Sequence, residues 1–262
     1  MLHMYVRSCY VCPIDFVNGF RWVAFLPPIL YQGFAMLTLI HFDFCPFCQR
    51  VRLALGYKKL PFAETSARFY GPEHFRSISG FERLPVIVYP DGSRQSESLE
   101  IIAELDRRFP ATPPLHPGAI AAADLEAVLA WRTRISGMLF RLIAPTLPLY
   151  PGLGDDPRAM RYYRERMEGW LGDTLEGLQA RRHLWYASME ADLNEIMDRV
   201  ARHGFYTPVL SVADTLITGD LTGLRLLEGI TLPPELNAYF ARVEAAAGIS
   251  LLPEPLLQGQ NP

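Results

Sequence analysis

The stretch Leu37-Thr38-Leu39-Ile40-His41-Phe42-Asp43-Phe44-Cys45-Pro46-Phe47-Cys48-Gln49-Arg50-Val51 decides how the rest of the chain is read. Residues 37–42 form a short apolar and β-branched run, broken only by His41, which reads as a buried strand. Residues 46–57 then read as a helix. Val51, Leu53, Ala54 and Leu55 supply its apolar side, and Gly56 marks its end. Between strand and helix lie two thiols, in Cys45-Pro46-Phe47-Cys48. The start of a helix leaves N–H groups unpaired and carries a partial positive charge, so it favours a thiolate. Cysteine pKa values in such motifs fall from about 8.5 to roughly 3.5–7.5. Pro46 suits the first turn, which needs no N–H from it. Cys45 is therefore expected exposed at the cap, and Cys48 one turn in and more buried.

Working outward, residues 61–65 read as a second, weaker strand, and 72–79 as a short helix closed by Gly80. Residues 85–89 are a strong strand. Pro90-Asp91-Gly92 is a turn, so 93–95 should return antiparallel. A helix follows over 98–109. The order βαβ, then α, then ββα is that of a thioredoxin-like half. Pro110-Ala111-Thr112-Pro113-Pro114 and Pro117-Gly118 read as a linker. Helical patterns then cover 119–143, the region from Pro157 to about 203 with a break near Arg181-Arg182, 211–228 and 234–247, with a Pro/Gly-rich loop at 145–156. The expected fold is α/β plus all-α: a thioredoxin-like N-terminal domain at 36–109, a linker at 110–118, an all-helical C-terminal domain at 119–250 and a tail at 251–262. No internal repeat is visible.

Composition narrows the function classes. The chain has 262 residues, half of them hydrophobic, enough for a full core. Its net charge of −3 implies no polyanion, so no nucleic-acid partner is expected. The pairs Lys58-Lys59, Arg107-Arg108 and Arg181-Arg182 read as solvated helix faces. Four cysteines do not make a disulfide framework for this length, which fits a reducing, cytoplasmic setting. The uncharged stretch from Trp22 to Ile40 has the composition of a membrane span or signal segment. Pro27-Pro28 and Gly33 interrupt it. Residues 1–35 are therefore expected to be a poorly ordered or loosely docked extension, with Met36 a plausible start and no membrane role.

A CxxC after a strand in a βαβ pattern reads as a redox motif. Its rival is zinc, because Cys9-Tyr10-Val11-Cys12 is a second pair. The gap over 13–44 exceeds the usual spacing of about 15–20 residues, and Gln49-Arg50-Val51 stands where a zinc knuckle would want a glycine turn. Redox chemistry is the preferred reading, and no metal is expected. Leu84-Pro85 opens the third strand, where a proline is sterically allowed. A cis bond there would turn the Leu84 backbone toward a ligand, against the alternative of an ordinary trans proline. Glu97-Ser98 stands at a helix start. Such N–H groups bind a carboxylate, Ser98 adds a donor and Glu97 can accept from an ammonium, so the pair suits the α-amino acid end of a peptide-like ligand. Plain capping also accounts for Ser98. Ser211-Val212-Ala213-Asp214 has the form of a capping box, a folding signal. His41 and His74 read as packing or surface residues. Neither Ser-His-Asp spacing nor a Gly-rich phosphate loop is present.

Taken together, Phe44-Cys45-Pro46-Phe47-Cys48-Gln49-Arg50-Val51, Leu84-Pro85-Val86, Glu97-Ser98-Leu99-Glu100-Ile101-Ile102 and Ser211-Val212-Ala213-Asp214 resemble the glutathione S-transferase superfamily over about residues 36–247. The leading cysteine makes the chain similar to the cysteine-type members, omega-like or glutaredoxin-2-like. The resemblance implies the GST fold, with glutathione as co-substrate and no metal. It implies that Cys45 forms a mixed disulfide with glutathione, that Leu84 and Pro85 face the cysteinyl backbone, and that Glu97 and Ser98 hold the γ-glutamyl end. Phe47 joins the glutathione-binding set, and the mixed disulfide would be resolved either by Cys48, in a dithiol route, or by a second glutathione. The implied function is glutathione-dependent thiol transfer, through glutathione-disulfide exchange or deglutathionylation. Its alternatives are conjugation or reductive cleavage of a small electrophile without a dithiol step, and a non-catalytic GST-fold binding module. Partners would be glutathione, a small electrophile or disulfide, and a second copy in a homodimer. The second substrate is expected around Trp131, Arg134 and Met138. The chain departs from the family pattern in Leu84, where valine is frequent, in a longer, irregular 181–207 segment, and in its N-terminal extension.

Overall fold

A computed structural model describes residues 36–116, 118–253 and 256. The expectations for residues 1–35, including the Cys9–Cys12 pair, lie outside the described residues.

The N-terminal half is built from β1 (Leu37–His41), α1 (Pro46–Tyr57), β2 (Phe62–Ser66), α2 (Pro72–Ser79), β3 (Val86–Val88), β4 (Arg94–Ser96) and α3 (Ser98–Arg108). The sheet order is β2-β1-β3-β4. β1 runs parallel to β2, with Leu37 opposite Phe62, and antiparallel to β3, with Leu39 opposite Ile87. β3 and β4 are antiparallel, with Ile87 opposite Gln95. Successive side chains of a strand point to opposite faces, and the apolar sets divide accordingly. Leu37, Leu39 and Ile87 join Val51, Leu53 and Leu55 of α1 on one face. Ile40, Phe42 and Val86 join Cys48, Phe75 and Leu84 on the other.

The second half is all helical: α4 (Ala122–Ile143), α5 (Pro157–Leu171), α6 (Leu175–Ala180), α7 (Arg182–Val200), α8 (Val212–Leu221) and α9 (Pro234–Ala247). A thioredoxin-like sheet with helices followed by helices alone is the GST fold. The core of the first sheet face runs on without interruption into α4, α7, α8 and α9, through Trp131, Leu142, Leu193, Leu216 and Phe240. The capping box at α8 forms as its spelling suggested. Asp214 is buried and accepts from Tyr206 N (2.8 Å), Ser211 N (2.9 Å) and Tyr239 Oη (2.8 Å).

The helical reading to about 203 with a break near Arg181-Arg182 matches α6 ending at Ala180 and α7 over Arg182–Val200, where Met189, Leu193, Ile196 and Val200 form one buried stripe at helical spacing. The irregularity expected over 181–207 is thereby confined to the residues after 200, and two further local expectations change. The 145–156 loop contains a 3-10 turn at Leu147–Leu149. Gly56 does not end α1. It lies inside the helix, buried, where a Cβ would sit 2.5 Å from Ala247 O and 2.4 Å from Ile249 Cγ1. Gly56 is a close-approach residue that lets the end of α9 lie on α1. Among the described residues no helix is long and apolar enough to cross a membrane.

Candidate active site

Cys45 is the N-cap of α1, in extended conformation (φ −83°, ψ 121°), with Pro46 as the first helical residue. Its carbonyl accepts the first helical bond, from Gln49 N at 3.0 Å. Its side chain is partly exposed, while Cys48, one turn on, is wholly buried, and both are free thiols. The Phe42 N–H donates to Cys48 Sγ over 3.4 Å. The Cys48 thiol in turn hydrogen-bonds Cys45. That bond is the largest cause holding the Cys45 thiol below its ordinary pKa; the N–H groups of Cys48 and Phe47 and the Arg50 charge act in the same direction, against burial. Cys48 moves the other way. Burial, then its interactions with Cys45, push its thiol well above the ordinary range. Relative to an ordinary thiol, the thiolate form is favoured at Cys45 and disfavoured at Cys48 behind it.

Cys45 opens onto a cavity of about 730 Å³. On the side of the sheet the wall is made by Phe47, Leu84, Pro85, Glu97 and Ser98. The five residues of the sequence pattern other than Cys48, together with Cys45, thus line one space; Cys48 lies beneath it. The Leu84-Pro85 bond is cis. Glu97 has φ 69°, a left-handed conformation that costs a non-glycine residue energy. Its side chain is exposed and makes no cap bond to α3. Ser98 begins α3, and its Oγ receives a long bond of 3.4 Å from Arg50 Nη1.

The far wall differs from expectation. Trp131 is 1% exposed, and its Nε1 donates to Asp192 O at 3.0 Å. Arg134 pairs with Asp192 (2.6 Å) and Glu195 (2.5 Å) on α7. Met138 packs on the core. This side of α4 faces α7, so the predicted second-substrate site at Trp131, Arg134 and Met138 is not in the cavity. The wall is instead Phe140 of α4 with Tyr162, Tyr163, Arg166, Met167 and Trp170 of α5. Residues 162, 163, 166, 167 and 170 share one helical face, and that aromatic stripe was the signal available in the sequence. Phe140 and Trp170 meet edge to face, 4.9 Å between ring centroids. Among the described residues no group of three or more His, Cys, Asp or Glu side chains is arranged to hold a metal ion.

Arg50 went unmarked in the sequence. It is 2% exposed, yet charged. Its Nη2 pairs with Asp220 of α8, whose other oxygen takes Arg132 of α4 at 2.5 Å. Its Cζ sits 4.4 Å from the Phe47 ring centroid.

Comparison with known proteins finds relatives of both halves of the chain. The family "Glutathione S-transferase, N-terminal domain" matches residues 39–113, and "Glutaredoxin 2, C terminal domain" matches 127–255. The chain is 30% identical over 165 residues to FtsZ-localized protein A of Caulobacter vibrioides, covering 60% of this chain and 71% of that protein. It is 23% identical over 229 residues to glutaredoxin 2 of Escherichia coli, covering 82% and 98%. The crystal structure of glutaredoxin 2 from Salmonella typhimurium in complex with glutathione superposes with a TM-score of 0.72 at 20% identity, over 87% of this chain and 99% of that one. With the sheet, the cysteine at the head of α1 and the helical half all in place, the chain belongs to the glutathione S-transferase superfamily, among its glutaredoxin-2-like members.

Proposed function

We propose that this protein is a glutathione-dependent thiol-transfer enzyme with Cys45 as nucleophile. The observation that carries the reading is the partly exposed Cys45 with a lowered pKa, at the head of α1, opening onto a cavity that Leu84, Pro85, Glu97 and Ser98 also line. In the reaction the Cys45 thiolate attacks one sulfur of a disulfide formed between glutathione and the substrate. A Cys45–glutathione disulfide forms, the old S–S bond breaks, and the substrate sulfur leaves as thiolate and takes a proton. A second glutathione thiolate then attacks the mixed disulfide. Oxidised glutathione leaves and Cys45 is restored. Cys48, buried and held protonated, is a poor attacking thiol, which favours this monothiol route over resolution by Cys48. Glu97 and the start of α3 suit the charged γ-glutamyl end of glutathione. The aromatic wall of α5 suits the apolar part of the second substrate.

The test is mass spectrometry after exposure to oxidised glutathione, with a disulfide-reduction assay. A single glutathione adduct on Cys45, with turnover lost in Cys45→Ser and retained in Cys48→Ser, supports the reading. Unchanged turnover in Cys45→Ser would sink it.

One observation favours a second reading. A relative at 30% identity is named for its localization to FtsZ, which suits a binding module built on the same fold. A chain that leaves glutathione resin unretained and forms no adduct at Cys45 would favour that role.

A further inference from the structure

Arg50 is a buried cation that the proposed reaction does not touch. It lies on α1, two residues past Cys48, and joins three elements. Its Nη1 reaches Ser98 at the start of α3 (3.4 Å), its Nη2 pairs with Asp220 of α8, and its Nε is buried without a hydrogen-bond partner. Asp220 is shared with Arg132 of α4 (2.5 Å). The three side chains are enclosed, with side-chain exposures of 3%, 9% and 18% for Arg50, Asp220 and Arg132. Two cations on one carboxylate leave one net positive charge. The seam around them is tight. A Cβ on Gly219, the residue before Asp220, would sit 2.9 Å from both Arg50 Cγ and Pro46 O. The backbone of α8 thus packs directly against the stem of Arg50 and the start of α1.

We infer that Arg50, held by Asp220 and Arg132 of the helical half, is a positioning residue that sets the charge behind Cys45 and aims Ser98. This deepens the proposed function and rests on it. A positive charge enclosed in a poorly screened interior acts over several ångströms. Arg50 touches two residues that line the cavity with Cys45, the Phe47 ring (4.4 Å from Cζ to its centroid) and Ser98 (3.4 Å), and its charge is the last of the causes that favour the Cys45 thiolate. Asp220 offsets that charge, and Arg132 draws Asp220 partly away from it. The helical half therefore governs how much of the Arg50 charge reaches the thiol. Other charged or titratable groups around Cys45 are Cys48 on α1, Asp43 before it, Glu82 and Arg83 before β3, and Glu97 before α3. From α5 come Tyr162, Tyr163 and Arg166. The variants below leave all of these in place.

The experiment is the pH dependence of iodoacetamide alkylation of the Cys45 peptide, read by mass spectrometry on the full chain, with circular dichroism to check folding. At a pH below the wild-type midpoint, Arg50→Gln should alkylate about two- to threefold more slowly, a modest loss because the Arg50 charge is the last of the causes at Cys45. Arg50→Lys should fall between Arg50→Gln and wild type. Asp220→Asn should alkylate faster than wild type, because the offsetting carboxylate is gone. Arg132→Gln should alkylate more slowly, because Asp220 then neutralises Arg50 more fully. A merely structural cluster would move every variant toward an ordinary thiol. A folded Asp220→Asn that is slower than or equal to wild type overturns the inference. If Asp220→Asn does not fold, Arg132→Gln decides, since an unchanged rate there overturns it. If wild-type Cys45 itself alkylates with the midpoint of a free thiol, it is the proposed function that fails.

Discussion

Cys45 and Cys48 carry the same side chain and are driven in opposite directions. Cys45 receives N–H groups and a hydrogen bond from Cys48, so its thiolate is favoured; Cys48 is sealed in apolar surroundings, so its thiolate is penalised. The sign for reactivity follows: Cys45 should stay nucleophilic below the pH at which an ordinary thiol becomes protonated. The sign for stability follows as well. The lowered Cys45 pKa contributes stability above the unfolded thiol's pKa, and that contribution is lost as pH falls through the folded value. The raised pKa of Cys48 does the reverse, being lost as pH rises through its own folded value. Because the bond donated by Cys48 is the largest cause at Cys45, Cys48→Ala should move the alkylation midpoint of Cys45 upward, while Cys48→Ser, which keeps a donor, should move it less. Equal midpoints in the two variants would contradict the role of that bond. The place of Cys45 was legible in the sequence because helix entry is a local rule. The depth of the burial of Cys48 was not, because Phe42, Phe75 and Leu84 supply it from three other places in the chain.

At the scale of elements, helix–helix approach sets the architecture around α1. Gly56 lets α9 lie close, and Gly219 does the same for α8. Replacing glycine by alanine inside a helix gains about 1 kcal/mol of propensity. At Gly56 that gain is outweighed, because the added methyl would meet a backbone carbonyl that has little freedom to yield, and overpacking costs about 1–3 kcal/mol. Gly56→Ala should therefore unfold at lower urea than wild type, with an unchanged denaturant slope. A variant more stable than wild type would show that α9 can shift freely. Most elements were readable from periodicity and from Pro and Gly punctuation. Gly56 misled because a glycine near the end of a helical pattern spells both a stop signal and a close contact, and only the partner helix tells them apart. The far cavity wall was misplaced for a similar reason. Trp131, Arg134 and Met138 carry plausible ligand-binding side chains, but the packing of α4 on α7 engages Trp131 and Arg134 and turns Met138 to the core.

For the molecule as a whole, one apolar core runs from the sheet through α1 into α4, α7, α8 and α9. Neither half closes its core alone, so the described chain should unfold as one cooperative unit. Alkylation of Cys48 reports opening of the first half. The fluorescence of Trp131, Trp170 and Trp185 reports the second, with Trp22 replaced by phenylalanine to remove its signal. Coincident denaturant midpoints are expected, and two separated transitions would show independent halves. The cavity follows the same logic, since its thiol wall comes from the first half and its aromatic wall from α5. The sequence by itself determined the local grammar: strand, cysteine at a helix start, proline at a strand start, Glu97-Ser98 before a helix, and a capping box. These are readable because each depends on neighbours within a few residues. Only the tertiary structure decided which helix faces Cys45, why Gly56 is a glycine, and that Arg50 of α1 is held by Asp220 and Arg132. Those facts depend on residues far apart in the chain, 170 positions between Arg50 and Asp220 and more between Gly56 and Ile249, and distance along a sequence carries no information about which surfaces meet.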